Sequence, residues 1–550
     1  MSRAGNPPCS QFHEPMKFTP QQIAILRTPD PRIAVLAGPG SGKTTTLVGR
    51  LINDFKTGHA LPDSTAVITF TNAAADEMRA RLERVGCQMP NYVGTLHGWC
   101  LREIQTGGQI TVLPEALAEE ILEHVIAENR IGTTAERVRK VLGGQKGDAK
   151  TDLAIKLYRK TLAASNAVDY DLILVRALEW IEANSCATSH LYVDEYQDSG
   201  QIDAQIYDAM NPHTAFFVGD VDQAIYGFRG GTPENLRAIA NQSGTTVFKL
   251  EDNWRSVPAI CAAANAVIAH NRERFDKCIV PQRPAHAEPA ITAEMFRGEL
   301  AETVEISGRI AAMLRRMEPK DVAVLVRYNA DKDAFSDALS GLGVPVAGAR
   351  ERLPGDWHRA QAAVNAMATP GNVMAVIGWR MAAGESWANA SATVEALARR
   401  SASLMPEYML GVAGRSYEAN RERILHGLRQ DGISGGTLRL LDSLKPSDLP
   451  SLLIAMREAS GATSEGVTVS TYHSAKGLEW PVVFMPACED RMVRSNVEED
   501  RRLFFVAITR ARDRLHLSAA DQRRVAWGAK RMEPTGGMIR FVNEMNLPKP

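Results

Sequence analysis

The segment AGPGSGKTT (37–45) concentrates reactive possibilities in a few residues. Gly38, Gly40 and Gly42 let the backbone curl so that successive N–H groups face one anion, which is how a chain grips phosphate. The pattern starts at Ala37, where its strict form has glycine, and Pro39 and Ser41 complete the loop. Lys43 is placed to reach the β- and γ-phosphates of a nucleotide, and Thr44 to hold Mg²⁺. About 150 residues on, the run LYVDEYQDS ends in Asp194-Glu195. A carboxylate at a strand end can bind Mg²⁺ directly or through water, which fits Asp194. Glu195 beside it can polarise an attacking water as general base.

These groups need elements to hold them. Ile33–Leu36 is a short apolar run before the glycine loop, and the helical pattern TTLVGRLINDF follows it. That is the strand–loop–helix context of a phosphate-binding loop, with a helix N-terminus adding positive character. Similar runs recur at Ala66–Phe70, Leu191–Val193, Ala215–Val218, Val322–Val326, Val467–Thr471 and Val482–Met485. Each reads as a buried parallel strand, so an α/β fold is expected, with ligands at the C-terminal strand ends. Pro114 to about Glu182 differs: Leu117, Ile121, Leu122, Val125 and Ile126 follow helical spacing. Residues from about Ala368 to Gly466 are again helical and alanine-rich. Both stretches read as insertions.

The chain has 550 residues, 45% hydrophobic and 23% charged, which excludes a disordered or collagen-like chain and a membrane bundle. No apolar run reaches the roughly 18–20 residues of a spanning helix, and the first residues lack a signal-like apolar core, so a cytoplasmic protein is expected. The seven cysteines have no CxxC spacing, so free thiols are expected rather than a metal site or disulfides. With 63 Lys+Arg against 64 Asp+Glu, bulk charge cannot coat nucleic acid; a local basic groove remains open.

Further segments in the same order carry a resemblance: FTPQQ (18–22), ITFTNAAADEM (68–78), GTLHG (94–98), VGDVDQAIYGFRG (218–230), LEDNWRS (250–256), TYHSAKGLEW (471–480) and EEDRRLFFVAITRAR (498–512). Together with the glycine loop and VDEYQD, they resemble the UvrD/Rep/PcrA family of superfamily-one DNA helicases across both halves of the chain. The resemblance implies two RecA-like P-loop NTPase cores, each a parallel sheet, with two mainly helical inserted subdomains. The expected bounds are 1–94 with 187–250 for the first core and 95–186 for its insertion. The second core is expected at 251–367 with 465–550, and a reduced insertion at 368–464.

By position, the resemblance gives Gln22 the adenine edge and Trp254 the base stack. It gives Gln223 the γ-phosphate and attacking water, Arg255 and Arg510 the γ-phosphate from the second core, and Glu479 the nucleotide or its neighbouring loop. Guanidinium groups there would offset charge on the transferring phosphoryl group. Thr45 departs from the arginine that relatives often carry beside the adenine. One wall of the base sandwich is then missing, and weak discrimination between ATP and GTP is expected.

The same resemblance implies a track for single-stranded DNA, built from aromatic platforms and phosphate contacts. Phe70, Thr71 and Asn72 lie in one loop, Thr95 and His97 in the next, Tyr226, Phe228 and Arg229 in a third, and Thr471 and His473 in the second core. Phe228 stands where relatives usually have tryptophan. For Tyr226 and His473 two roles stay open, DNA contact or support of the loop. Trp527 in RLHLSAADQRRVAWGAKR falls near the strand-separating aromatic of relatives, or is an ordinary buried tryptophan.

The expected cofactors are ATP and Mg²⁺. The expected activity is an ATP-dependent helicase or translocase with 3′-to-5′ polarity on single-stranded DNA and at single-strand/duplex junctions. No membrane partner is expected, and the chain should act as a monomer or in a partner-driven complex. The alternative is an ATP-dependent DNA-binding subunit that licenses a partner nuclease in a repair or antiviral complex. The short second insertion keeps that alternative open. About 40 residues follow Arg510, fewer than the roughly 50 of a small domain, so a fused nuclease is not expected.

Overall fold

The computed structural model describes residues 17–347 and 466–547, apart from short breaks at 109, 114, 143–145, 185, 228–229, 286–288, 494–495 and 525–531; within 348–465 it describes scattered residues and the helix Tyr417–Gln430. The chain divides into two compact units. One comprises Met1–Glu103, Ala177–Ala347 and Ser464–Pro550; the other comprises Ile104–Arg176 and Gly348–Thr463.

The first unit holds two six-stranded parallel sheets. In the first, β1 (Arg32–Ala37), β2 (Thr65–Thr69), β3 (Tyr92–Thr95), β6 (His190–Val193), β7 (Thr214–Gly219) and β8 (Thr246–Leu250) run in the order β3-β2-β6-β7-β1-β8. The intervening short strands β4 (Thr111–Val112) and β5 (Ala167–Val168) pair with each other in the second unit. The strands β1, β2, β6 and β7 are buried almost throughout, as expected of a sheet covered on both faces. Val35, Val67, Tyr192 and Val218 share one apolar core with Leu47 and Leu51 of the helix Lys43–Thr57.

β9 (Asp252–Asn253) and β10 (Val280–Pro281) pair as a small ribbon. The second sheet contains β11 (Ile291–Phe296), β12 (Val322–Val326), β13 (Val346–Ala347), β14 (Val467–Thr471), β15 (Trp480–Met485) and β16 (Ala511–Ala520), in the order β11-β16-β15-β12-β14-β13. Its pleat separates two cores, because successive side chains of a strand face opposite ways. Val322, Val324 and Val326 join Ile306, Ile310, Phe335 and Leu339 on one face. Ala323 and Leu325 join the helices Pro258–Ile268 and Val497–Ile508 on the other. A hairpin of β17 (Gln522–Arg524) and β18 (Met532–Pro534) follows.

All seven apolar runs fall on strands, except that Phe70 lies just past the end of β2. In the second unit, Leu117, Ile121, Leu122 and Val125 lie on the helix Glu115–Glu128 and pack into a core that includes Val364, Met367, Ile424 and Leu428. The two sequence-distant helical stretches therefore share one interior. Among the described residues no helix is long and apolar enough to cross a membrane.

Candidate nucleotide and nucleic-acid site

The glycine loop leaves the end of β1, where Ala37 is buried, and turns at Gly40 and Gly42, with φ of +64° and +79°. Both values lie in the left-handed region that glycine adopts at little cost. A Cβ at Gly40 would lie 2.6 Å from Cβ of Arg255, so the LEDNWRS segment packs directly on the loop. Asn253 Nδ2 donates to the Pro39 carbonyl at 2.7 Å, the Trp254 N–H donates to the Gly40 carbonyl at 3.0 Å, and the Gly38 N–H donates to Leu250 at 2.9 Å. Ser41 Oγ closes the loop on the Gly38 carbonyl at 2.8 Å. The indole of Trp254 is 53% exposed, which leaves a face open for a base.

Thr44 and Lys43 open the helix that follows. Thr44 Oγ1 donates to Asp194 Oδ2 at 3.2 Å, and Lys43 Nζ lies 3.4 Å from Glu195 Oε1. Burial and the adjacent Glu195 carboxylate push Asp194 upward. Burial also opposes the Glu195 charge, but Lys43 and then Lys476 outweigh it and hold its carboxyl below the usual range. Glu195 itself has a left-handed backbone, φ +53°, at the turn after β6.

From Glu195 a continuous polar line leads to the second sheet. Gln197 Nε2 donates to Glu195 Oε2 at 2.5 Å, and its Oε1 accepts from the Asp220 N–H at 2.8 Å. Gln223 Nε2 donates to Asp220 Oδ2 at 2.5 Å, and Arg510 Nη2 donates to Gln223 Oε1 at 3.3 Å. Arg510 is 1% exposed and also donates to the Val506 and Leu478 carbonyls. Burial, then the neighbouring Arg255, pushes its pKa down to about 9, so it stays charged at neutral pH. Arg255 Nε donates to Glu479 Oε2 at 2.5 Å, and Arg512 lies 3.6 Å from the same carboxylate. Glu479 thus holds Arg255 beside the glycine loop.

Gln22 caps its own helix with Thr19 and places Nε2 3.5 Å from the Ser41 carbonyl. Thr45 lies next to this corner, and Arg81, from the helix Asn72–Arg84, places Nη1 3.5 Å from Thr45 Oγ1. A guanidinium therefore reaches the position from another helix. The motif text gave no hint of this, because the contact joins residues 36 apart.

Of the described candidate nucleic-acid residues, Phe70–Asn72, Thr95, His97, Thr471 and His473 lie at or just past the ends of β2, β3 and β14, and Tyr226 lies in the segment after β7. Phe70 stacks on Tyr226 with centroids 4.7 Å apart, and Tyr226 OH donates to the His473 carbonyl at 3.4 Å. Lys476 lies 5.2 Å above the Tyr226 ring. The threonines have local duties. Thr71 Oγ1 accepts from the Ala74 N–H, Thr95 Oγ1 from Gly98, and Thr471 Oγ1 from Ser474. Thr71 and Asn72 are exposed, while Thr95 is partly buried. Burial pushes His97 down to about 4, so its ring is neutral at pH 7. Phe228, Arg229 and Trp527 lie outside the described residues.

Several residues at the site escaped sequence reasoning. Lys476 pairs with Asp198 and donates to the Gln223 carbonyl at 2.7 Å. Lys277 pairs with Asp220 and, at 3.2 Å, with Asp222, which also takes Arg274 at 3.1 Å. Lys476 sits inside a quoted motif, so it was open to detection; Lys277 sits in none.

Two family models match the chain. The UvrD/REP helicase N-terminal domain matches residues 18–123 and 111–243, and the UvrD-like helicase C-terminal domain matches 248–351 and 446–522. The chain belongs to the UvrD/Rep/PcrA-like superfamily-one helicases. Among curated members of this family, the chain is 26% identical to the ATP-dependent DNA helicase PcrA of Bacillus subtilis, over 96% of this chain and 85% of that protein. It is 25% identical to a probable DNA helicase II homolog of Rickettsia felis, over 96% and 95%. It is 26% identical to the ATP-dependent DNA helicase UvrD2 of Mycobacterium tuberculosis, over 95% and 81%. The match to the C-terminal model is interrupted at 352–445.

Proposed function

We propose that the chain is an ATP-dependent DNA helicase that moves on single-stranded DNA, 3′ to 5′, and acts at single-strand/duplex junctions. The observation that carries this reading is the line from Lys43 and Glu195 through Gln197, Asp220 and Gln223 to Arg510, with Arg255 packed on Gly40. It supports the reading because side chains of the kinds that bind and sense phosphate come from both sheets along one connected polar line.

In this reading the loop N–H groups and Lys43 hold the β- and γ-phosphates of ATP. Thr44 and Asp194, already in contact, would hold Mg²⁺, which would supply positive charge beside the phosphates. Glu195 polarises the attacking water by accepting its hydrogen bond. Lys43 serves both Glu195 and phosphate, so phosphate binding draws the ammonium away and frees the carboxylate. Arg255 and Arg510 offset the charge on the transferring group, an effect of roughly 10³–10⁵ in rate for arginines of this type. Loss of the γ-phosphate removes their shared anion, and the cores loosen. Alternating grip on the strand by Phe70, Tyr226 and His473 would turn that cycle into movement.

The test is ATP hydrolysis with and without single-stranded DNA. Strong stimulation in the native chain and none in Lys43→Ala is expected. Absence of stimulation in the native chain refutes the motor reading.

A further inference from the structure

We propose that Lys277 is a positioning residue for ATP hydrolysis: through Asp220 it fixes which end of the Gln223 amide faces Arg510. The inference rests on the reading of Gln223 as the group at the γ-phosphate.

Three facts carry it. Lys277 is buried and pairs with the buried carboxylate of Asp220, whose other oxygen accepts from Gln223 Nε2. An ionised carboxylate accepts hydrogen bonds and cannot donate them. While Asp220 stays charged, the Gln223 amide must therefore turn Nε2 toward it and Oε1 away. The Oε1 turned away from Asp220 is the atom that meets Arg510 Nη2. A protonated or uncharged residue at 220 could donate instead, and the amide could flip. Its N–H₂ would then face the Arg510 guanidinium, two donors with no acceptor between them.

Burial alone would raise the Asp220 carboxyl, yet Lys277, followed by Lys43, holds it below the ordinary range. Lys277 enters from the segment after the helix Pro258–Ile268, whose apolar face packs with the second sheet's helix Val497–Ile508. Asp222 is a second partner for Lys277, and Arg274 also covers Asp222. Lys277 therefore serves the Asp220 carboxylate without being its neighbour in sequence. A charge that only balanced the interior would have no reason to bear on the turnover number.

The experiment uses the full chain with single-stranded DNA and compares Lys277→Met, Gln223→Ala and their combination. Because Lys277→Met leaves a buried carboxylate short of a partner, Lys277→Met/Asp220→Asn is made as well, which removes both charges together. We expect kcat to fall by roughly tenfold or more in each Lys277 variant, with KM for ATP within about twofold. Adding Gln223→Ala should cost little further, as for residues that act as one unit. An unchanged kcat in the charge-free pair overturns the proposal, as does a loss that multiplies in full with that of Gln223→Ala. If Gln223→Ala alone leaves kcat unchanged, the reading of Gln223 fails first and the proposal with it. Loss in Gln223→Ala without loss in the Lys277 variants refutes the linkage alone.

Discussion

Thr45 offers a hydroxyl where the family resemblance leads one to expect a guanidinium, and Arg81 brings one within 3.5 Å of it from the next helix. Arg81 also pairs with Glu77 on its own helix. In the proposed function, base selection would then fall mostly on Gln22 and Trp254. We expect the kcat/KM ratio of ATP over GTP to be modest, below roughly 100-fold; strict ATP preference would show that Thr45 has no such effect. His97 allows a second residue-scale prediction. Its ring is neutral at pH 7, so it cannot act as a counter-charge to phosphate. His97→Gln should leave the slope of log affinity for single-stranded DNA against log salt unchanged. Its effect on stability has a definite sign. The folded pKa, about 4, lies below the ordinary 6.5, so the unfolded chain takes the proton first as pH falls. The stabilisation is complete above pH 6.5 and is lost on descent toward 4. Tm should accordingly drop less between pH 7 and 5 in His97→Gln than in the native chain.

At the scale of elements, the phosphate loop is a short connection fastened at its base. β1 and the helix Lys43–Thr57 supply its ends, and the segment Asp252–Ser256 supplies its floor. Asn253 is the fastener. It is 1% exposed, donates to Pro39, and accepts from the N–H groups of Arg255 and Ser256. Removing it leaves buried backbone groups without partners, at about 1–3 kcal/mol. Asn253→Ala should lower Tm and raise KM for ATP together, measured by thermal melting and steady-state kinetics. An unchanged KM would mean that the loop holds its shape without this floor. Element detection from sequence was uneven for a physical reason. β12 and β15 are apolar runs because both faces are covered. The edge strands β8 and β11 largely alternate half-buried and exposed residues, and β16 contains Arg512, Asp513 and Arg514 among its first residues. Such strands give no continuous apolar signal in the sequence, and only their pairing in the sheet identifies them.

For the whole molecule, the joint between the sheets matters most. Arg510–Gln223 and Lys476–Asp198 cross from one sheet's loops to the other's, and the near-neutral total charge fits the proposed motor, which would have to hold and release a polyanion. A uniformly basic face would hold its track through the cycle. On partial duplexes, ATP-driven strand separation should require a 3′ single-stranded tail and fail with a 5′ tail. Equal activity on both would refute the polarity. ATP hydrolysis without unwinding of either substrate would favour a DNA-binding subunit that serves a partner.

The sequence by itself determined the phosphate loop, the Asp194-Glu195 pair and the α/β class, because these depend on residues adjacent along the chain and on local periodicity. It also carried the family, through motifs whose order is itself a linear property. Tertiary structure alone decided that Arg81 reaches Thr45, that Glu479 holds Arg255, and that Lys277 stands behind Asp220. These contacts join residues 36, 224 and 57 positions apart. A buried charge takes its partner from whatever segment folding brings beside it, and neither spacing nor composition records that choice.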